Sequence, residues 1–231
     1  MNLPKYFIAI FLQVFALQLF AQAPVMTRTY DEFVQLEHTN PQRGNFLTEA
    51  DISGSPYLNK DYQEGYVLTE KLIRYENVPL RYNIYTDDIE FRNAKGQAMA
   101  IEFPGNIKEV KIGKAIFVHR LYAMDKKLHA GYFQLMNRGK AEGLIRYRVE
   151  FREAEPAAAY KDPQPPKFVR KPAEFYVSIG NKPAVQVYKT KDFIALLSNH
   201  KKELQAFAKK EKIKVRKEND LKRILNYYNS L

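Results

Sequence analysis

Leu80 to Arg92 reads LRYNIYTDDIEFR, and its period decides the fold. Leu80, Tyr82 and Ile84 fall on one face of an extended chain, and Arg81, Asn83 and Tyr85 on the other, because successive side chains of a strand point oppositely. Thr86-Asp87-Asp88 then predicts a hairpin turn, with Ile89 to Arg92 as the returning strand. Working outward, Asn93-Ala94-Lys95-Gly96, Pro104-Gly105-Asn106 and Gly113-Lys114 separate Ala98 to Phe103, Ile107 to Ile112 and Ala115 to Tyr122. Turn signals at this spacing, about every eight to twelve residues, belong to an antiparallel sandwich, barrel or strongly curved sheet and not to βαβ units.

Leu144 to Arg152 carries the clearest alternation in the chain. Ile145, Tyr147, Val149 and Phe151 oppose Arg146, Arg148, Glu150 and Arg152. Read as one strand with its apolar face on the core, the segment projects Arg146, Arg148 and Arg152 outward as a cationic cluster suited to an anion. The same residues also suit solvated edge charges that discourage strand-to-strand association. Glu155 to Pro172 holds five prolines and reads as an extended surface loop or linker. Ala173 to Ile179 and Ala184 to Tyr188, divided by Gly180-Asn181-Lys182-Pro183, predict a further hairpin.

The C-terminus changes period. Phe193, Leu196 and Leu197, then Leu204, Phe207 and Ala208, then Leu221, Ile224, Leu225 and Tyr228, form three narrow apolar stripes at helical spacing. Ser198-Asn199 separates the first two, with Asn199 available as an N-cap. Ile213 and Val215, among Lys212, Lys214 and Arg216, predict a short extended link.

At the other end, Lys5 precedes the apolar run Tyr6 to Phe20, followed by small residues at Ala21 and Ala23, which is the pattern of an export signal cleaved after Ala21. The run is shorter than the about 20 apolar residues that cross a bilayer, so no transmembrane segment is expected once it is removed. Between signal and sheet, Thr29 and Glu32 form a capping box that starts a short helix over Thr29 to His38.

Composition narrows the function classes. A hydrophobic fraction of 45% and an aromatic fraction of 13% describe a chain that can bury a core. Zero cysteines exclude disulfides, thiolate metal sites, cysteine nucleophiles and a lipid-modified N-terminal cysteine. The formal charge is +11, concentrated after Thr190, where eleven basic residues face five acidic ones. For an exported chain such a surface suits lipid phosphates or acidic glycans, and nucleic acid is not the expected partner; it equally suits a solvated helix face. His38, His119, His129 and His200 are scattered without metal-ligand spacing, and there is no GxSxG, Walker loop or GxGxxG. No metal, cofactor or catalytic residue is assigned. The Asp87-Asp88-Ile89-Glu90 carboxylates are accounted for by turn chemistry. Sixteen tyrosines and fifteen phenylalanines without tryptophan either fill a β core or line a pocket in which Tyr82 and Tyr85 supply polar handles.

SGSPYLN (Ser53 to Asn59), ENVPLRYNIYTDDIEF (Glu76 to Phe91) and the ending LNYYNSL resemble a group of uncharacterised exported proteins of Bacteroidota. The resemblance implies export and an envelope location, and it carries no activity.

These readings give an α+β, mainly β protein: an antiparallel meander forming a curved sheet, sandwich or partly open barrel, with C-terminal α-helices packed on it. The expected organisation is a signal peptide at 1–21, an N-terminal segment at 22–54, a β domain at 55–189 that includes the Pro-rich loop 155–172, and a basic helical region at 190–231. The expected role is an exported, non-enzymatic envelope protein, periplasmic or secreted and not a lipoprotein. Its ligand would be lipid-like or an anionic glycan, held by Arg146, Arg148, Arg152, Tyr82 and Tyr85. A structural module that docks an envelope protein is the alternative, and a hydrolase with a dispersed site is the third.

Overall fold

The computed structural model describes residues 53–93, 95–152, 162 and 164–231, and the backbone of 26–28. The expected export signal, the short helix over Thr29 to His38 and most of the Pro-rich segment lie outside the described residues. The strands are β1 (Met26–Arg28), β2 (Gln63–Thr69), β3 (Ile73–Asn83), β4 (Asp88–Arg92), β5 (Ala98–Ala100), β6 (Ile107–Ile112), β7 (Ala115–Met124), β8 (Lys127–Leu135), β9 (Ala141–Arg146), β10 (Val149–Arg152), β11 (Lys167–Arg170), β12 (Glu174–Ile179) and β13 (Ala184–Gln186). The helices are α1 (Thr190–Leu196), α2 (Lys201–Lys210) and α3 (Glu218–Ser230).

Ten of these strands follow one path, β13-β12-β9-β8-β7-β6-β2-β3-β4-β5, with β1 parallel to β3. The path closes on itself because β13 also runs parallel to β7, setting Ala184 opposite Tyr122 and Val185 opposite Ala123. Strands β7, β8, β9, β12 and β13 therefore form a closed five-stranded barrel. Beyond β7, strands β6, β2, β3, β4 and β5 continue as an open sheet.

Burial follows from this branching. Adjacent residues are both buried at Phe117 and Val118, Tyr132 and Phe133, Leu144 and Ile145, and Tyr176 and Val177, which is the mark of strands covered on both faces. Val118, Tyr122, Phe133, Leu144, Tyr176 and Ala184 face the barrel interior. The rings of Tyr122, Phe133 and Tyr176 meet edge to face with centroids 5.2–5.6 Å apart, so the interior is a packed core and not a channel. Phe117 and Tyr132 point the other way, into the core of the open sheet, where they join Leu80, Tyr82, Ile89 and Phe91. Ile145 and Val177 face outward beneath Phe193, Leu204, Leu221, Ile224 and Leu225 of the helices. Each such large side chain contributes about 1.5–3 kcal/mol when fully buried.

Leu80, Tyr82 and Ile84 are buried and Tyr85 is exposed, as the alternation predicts, but Asn83 of the opposite set is also buried, its Nδ2 donating to Glu90 Oε1 at 3.0 Å. Ile213 and Val215 link α2 to α3 with both side chains in the helical core. Asn199 does not cap α2; His200 occupies that position, and Asn199 Oδ1 accepts a hydrogen bond from the Tyr228 hydroxyl at 3.3 Å. The β7–β8 hairpin turns at Asp125-Lys126, with φ of 50° and 61°, the paired positive values of a two-residue type I′ turn without its usual glycine.

Leu144 to Arg152 is not one strand. β9 ends at Arg146, and β10 pairs with β11 in a separate two-stranded ribbon. The reason lies next door: β8 and β9 pair only at Gln134 with Ile145 and Leu135 with Leu144, so the chain beyond Arg146 has no partner on that side and leaves the barrel.

Gly65, in the middle of β2, has no room for a side chain, because an added Cβ would overlap the Lys111 carbonyl oxygen of the neighbouring β6. Gly96 has open space and costs only its left-handed backbone, φ 77°. Gly65→Ala should therefore destabilise the protein by about 2–3 kcal/mol or more, against about 1–2 kcal/mol for Gly96→Ala. Denaturant unfolding of the two variants checks this, and equal losses would contradict the close approach of β2 to β6.

Candidate functional site

Two features stand where the barrel and the open sheet meet. The first is an ion pair. The β3–β4 turn carries Asp87, at φ 60°, across to the stretch of β8 that β9 has left uncovered. There Asp87 Oδ1 accepts a 2.6 Å hydrogen bond from the Tyr82 hydroxyl and a 3.2 Å bond from the Tyr132 backbone N–H. Arg146 Nη2 donates to Asp87 Oδ2 at 3.1 Å. The Arg146 guanidinium lies 4.5 Å from the Tyr122 ring centroid and 5.4 Å from that of Phe133, so it roofs the aromatic core of the barrel. Its side chain is 11% exposed and that of Asp87 23%. Arg146 Nε and Nη1 are buried with no acceptor among the described residues.

Gly131 makes this possible. It sits between Ala130 and Tyr132 on β8, and an added Cβ would overlap both Arg146 Nη1 and Asp87 Oδ2. Burial, with the Asp87 charge adding to it, pushes the Tyr82 hydroxyl well above the usual phenol range, so it remains a donor to the carboxylate. His119, half-buried in β7, stacks edge-on against Tyr132 with centroids 5.1 Å apart. Burial lowers its pKa; Asp87 opposes the shift, and Arg120 and Arg146 reinforce it.

The second feature is a cavity of about 440 Å³ on the other side of Tyr82. Leu58, Tyr82, Ile112, Ala115 and Phe117 supply apolar wall, while Asn59, Asp61, Gln63, Arg81 and Lys114 supply the polar groups. No serine, threonine, cysteine or histidine lines it. Arg81 is held in place by stacking against Tyr57 at 3.6 Å and Tyr62 at 4.5 Å, and its Nε donates to Glu90 Oε2 at 2.8 Å. Burial pushes the Tyr62 hydroxyl up to about 12. Arg81 is thus largely neutralised by Glu90, and Lys114, exposed on the β6–β7 turn, is the cation facing solvent at the cavity.

The five residues expected to bind are not brought together. Arg146 and Tyr82 meet through Asp87, and Tyr82 also lines the cavity. Arg146 points inward and not to solvent, which corrects the expected outward cluster. Arg148 is half-buried with Nη1 3.9 Å from Met124 Sδ, and Arg152 lies 3.7 Å from Glu150 on the ribbon. Tyr85 packs against Phe151 and Phe168 of that ribbon, with centroids 6.3 and 5.3 Å away. Asp87 was read as turn chemistry alone and Gly131 was not singled out; a glycine inside the run His129 to Leu135 was the available signal of a close approach. Among the described residues no group of three or more metal-ligating side chains gathers.

Breaking a largely buried pair leaves one charge without compensation, so Asp87→Asn should cost about 2–4 kcal/mol. Gly131→Ala strikes the same contact and should cost a similar amount. Because both disrupt one interaction, the double variant should lose clearly less than the two single losses added; additive losses in denaturant titrations would show that Gly131 does not act through the pair. The pH dependence follows from His119. Its folded pKa lies below the ordinary value of about 6.5, so below that pH the unfolded chain binds a proton that the folded chain resists, and stability falls. His119→Gln should flatten the decline in unfolding midpoint between about pH 7.5 and about pH 5.5, and an unchanged slope would exclude this source. No family model, curated protein or solved structure matches this chain.

Proposed function

We propose that this chain is an exported, non-enzymatic envelope protein of the Bacteroidota type that holds an amphipathic ligand in the cavity beside Tyr82. The observation that carries the reading is the cavity itself. It is a half-open groove whose volume of about 440 Å³ is the size of a small-ligand site. Its wall is Leu58, Ile112, Ala115, Phe117 and the Tyr82 ring, which suit an aliphatic or aromatic body. Its polar groups are the Asn59 and Gln63 amides, the Asp61 carboxylate, Lys114 and the Glu90-paired Arg81, which suit a hydrogen-bonding or zwitterionic head. The lining offers no nucleophile paired with a base, and the phenol of Tyr82 is already committed to Asp87. Export is supported by Lys5 and the apolar run Tyr6 to Phe20 with Ala21 behind it.

Native mass spectrometry with lipid extraction, on protein purified from its own host's envelope, tests this. The expected result is a co-purifying amphiphile that is absent from folded Ala115→Phe, a substitution that fills the cavity from the rim at a typical stability cost of about 1–3 kcal/mol. A wild-type protein that carries no such mass, and takes none up from a total lipid extract, would end this reading. A ligand retained by Ala115→Phe would place binding elsewhere.

A further inference from the structure

We propose that the uncovered outer face of the barrel, on β13, β7 and β8, docks onto an anionic lipid bilayer. Register sets Val185 beside Ala123 and Ala123 beside Leu128, with Leu121 beside Ala130 in the adjacent row. All five are exposed, Leu128 at 64%, Leu121 at 55% and Val185 at 39%. Elsewhere the outward-facing positions of the barrel are covered: Phe117 and Tyr132 by the open sheet, Ile145 and Val177 by the helices. The apolar face at β13, β7 and β8 has no such cover among the described residues. Contiguous apolar surface of this kind marks a place of contact.

Charge identifies what it contacts. The type I′ turn at Asp125-Lys126 presents Lys126 and Lys127 immediately beside Leu128, all of them exposed. Because β13 runs parallel to β7, the chain that leaves it carries exposed Tyr188 and Lys189 toward the same end of the barrel. The exposed residues there are three lysines and a tyrosine against Asp125, grouped around leucine, while half-buried Arg148 and Glu174 at the same end offset each other. Lysines complement anionic headgroups, and aliphatic and tyrosine side chains enter the boundary beneath them. A second copy of the chain is the weaker occupant, since five small or aliphatic side chains fall far below the about 20–30 residues a side of a stable protein interface. A bilayer needs no matching shape. The inference does not rest on the cavity beside Tyr82, which uses different residues.

Sedimentation of the purified protein with phosphatidylcholine vesicles, with and without about 30% phosphatidylglycerol, at about 50 mM salt tests it. Binding to the anionic vesicles is expected, with little to the neutral ones. Lys126→Gln with Lys127→Gln should weaken it about 30-fold, each lysine near an anionic surface being worth about five-fold. Leu121→Ser with Leu128→Ser should abolish it while the thermal midpoint is preserved, because both side chains already face solvent. Ala115→Phe should bind as the wild type does, which separates this surface from the cavity. Absence of wild-type binding, equal binding to neutral vesicles, or full binding by the folded leucine variant would overturn the proposal. So would a dimer in analytical ultracentrifugation that the leucine variant dissolves, which would assign the face to a second copy.

Discussion

The Asp87 carboxylate ties the open sheet to the barrel a second time, beyond the β6–β7 ladder that joins them. It draws one donor from β3 (Tyr82), one from the edge of β8 that β9 leaves unpaired (Tyr132) and one from the last residue of β9 (Arg146). A backbone N–H left without a partner at a buried strand edge is costly. At Tyr132 the side chain of a distant turn supplies the acceptor that β9 would have supplied had it continued. The same carboxylate compensates a guanidinium that would otherwise be a lone charge over Tyr122 and Phe133. The left-handed conformation at Asp87 and the missing side chain at Gly131 are the local costs of that arrangement.

Much of the architecture was legible in the sequence wherever a strand buries a single face. Leu80, Tyr82 and Ile84 alternate with Arg81, Asn83 and Tyr85, and the structure buries the first set, with Asn83 the one member of the second that is buried as well, against Glu90. The helical stripes were readable for the same reason, each burying one side in the helical core, except that Ile194 is buried where Leu196 was expected and Leu196 is exposed. The pattern failed where both faces are covered. Leu144 and Ile145 are adjacent and both buried, one in the barrel and one under the helices, so the apparent alternation beginning at Ile145 gave no notice that the strand ends at Arg146. Closure of the barrel was less legible still, because β13 is three residues long and its parallel pairing with β7 leaves no periodic trace. At the candidate site, Tyr82 and Arg146 were identifiable as residues that matter, but their relation passes through Asp87, which a turn accounts for on its own. Ala115 and Phe117 read only as strand core, since a cavity wall has the same composition as a packed interior.

Where the cavity lies follows from how the barrel is filled. A barrel of five strands has room for side chains and little more, and Tyr122, Phe133 and Tyr176 occupy it edge to face. Space for a ligand therefore arises outside the barrel, where the open sheet and the segment from Leu58 to Asp61 meet without filling the corner at Ala115. A larger residue at that position would complete the packing. The aromatic richness of the chain thus serves two ends: most of it makes the core, and Tyr82 with Phe117 makes wall.

The three cores are separate clusters, yet the strands between them belong to two at once. β7 gives Phe117 to the open-sheet core and Val118 to the barrel; β8 gives Tyr132 and Phe133 in the same way; β9 gives Leu144 to the barrel and Ile145 to the helices. Tyr147, just past β9, packs on both the open-sheet and helical cores, and its hydroxyl donates to Gln134 Oε1 at 2.7 Å. Losing any one cluster would expose the reverse face of strands that the others need, so the parts should unfold together despite a chain without a single cysteine to tie them. What disulfides do in many small exported domains by restricting the unfolded chain, these shared strands do by making each hydrophobic core a condition of the next.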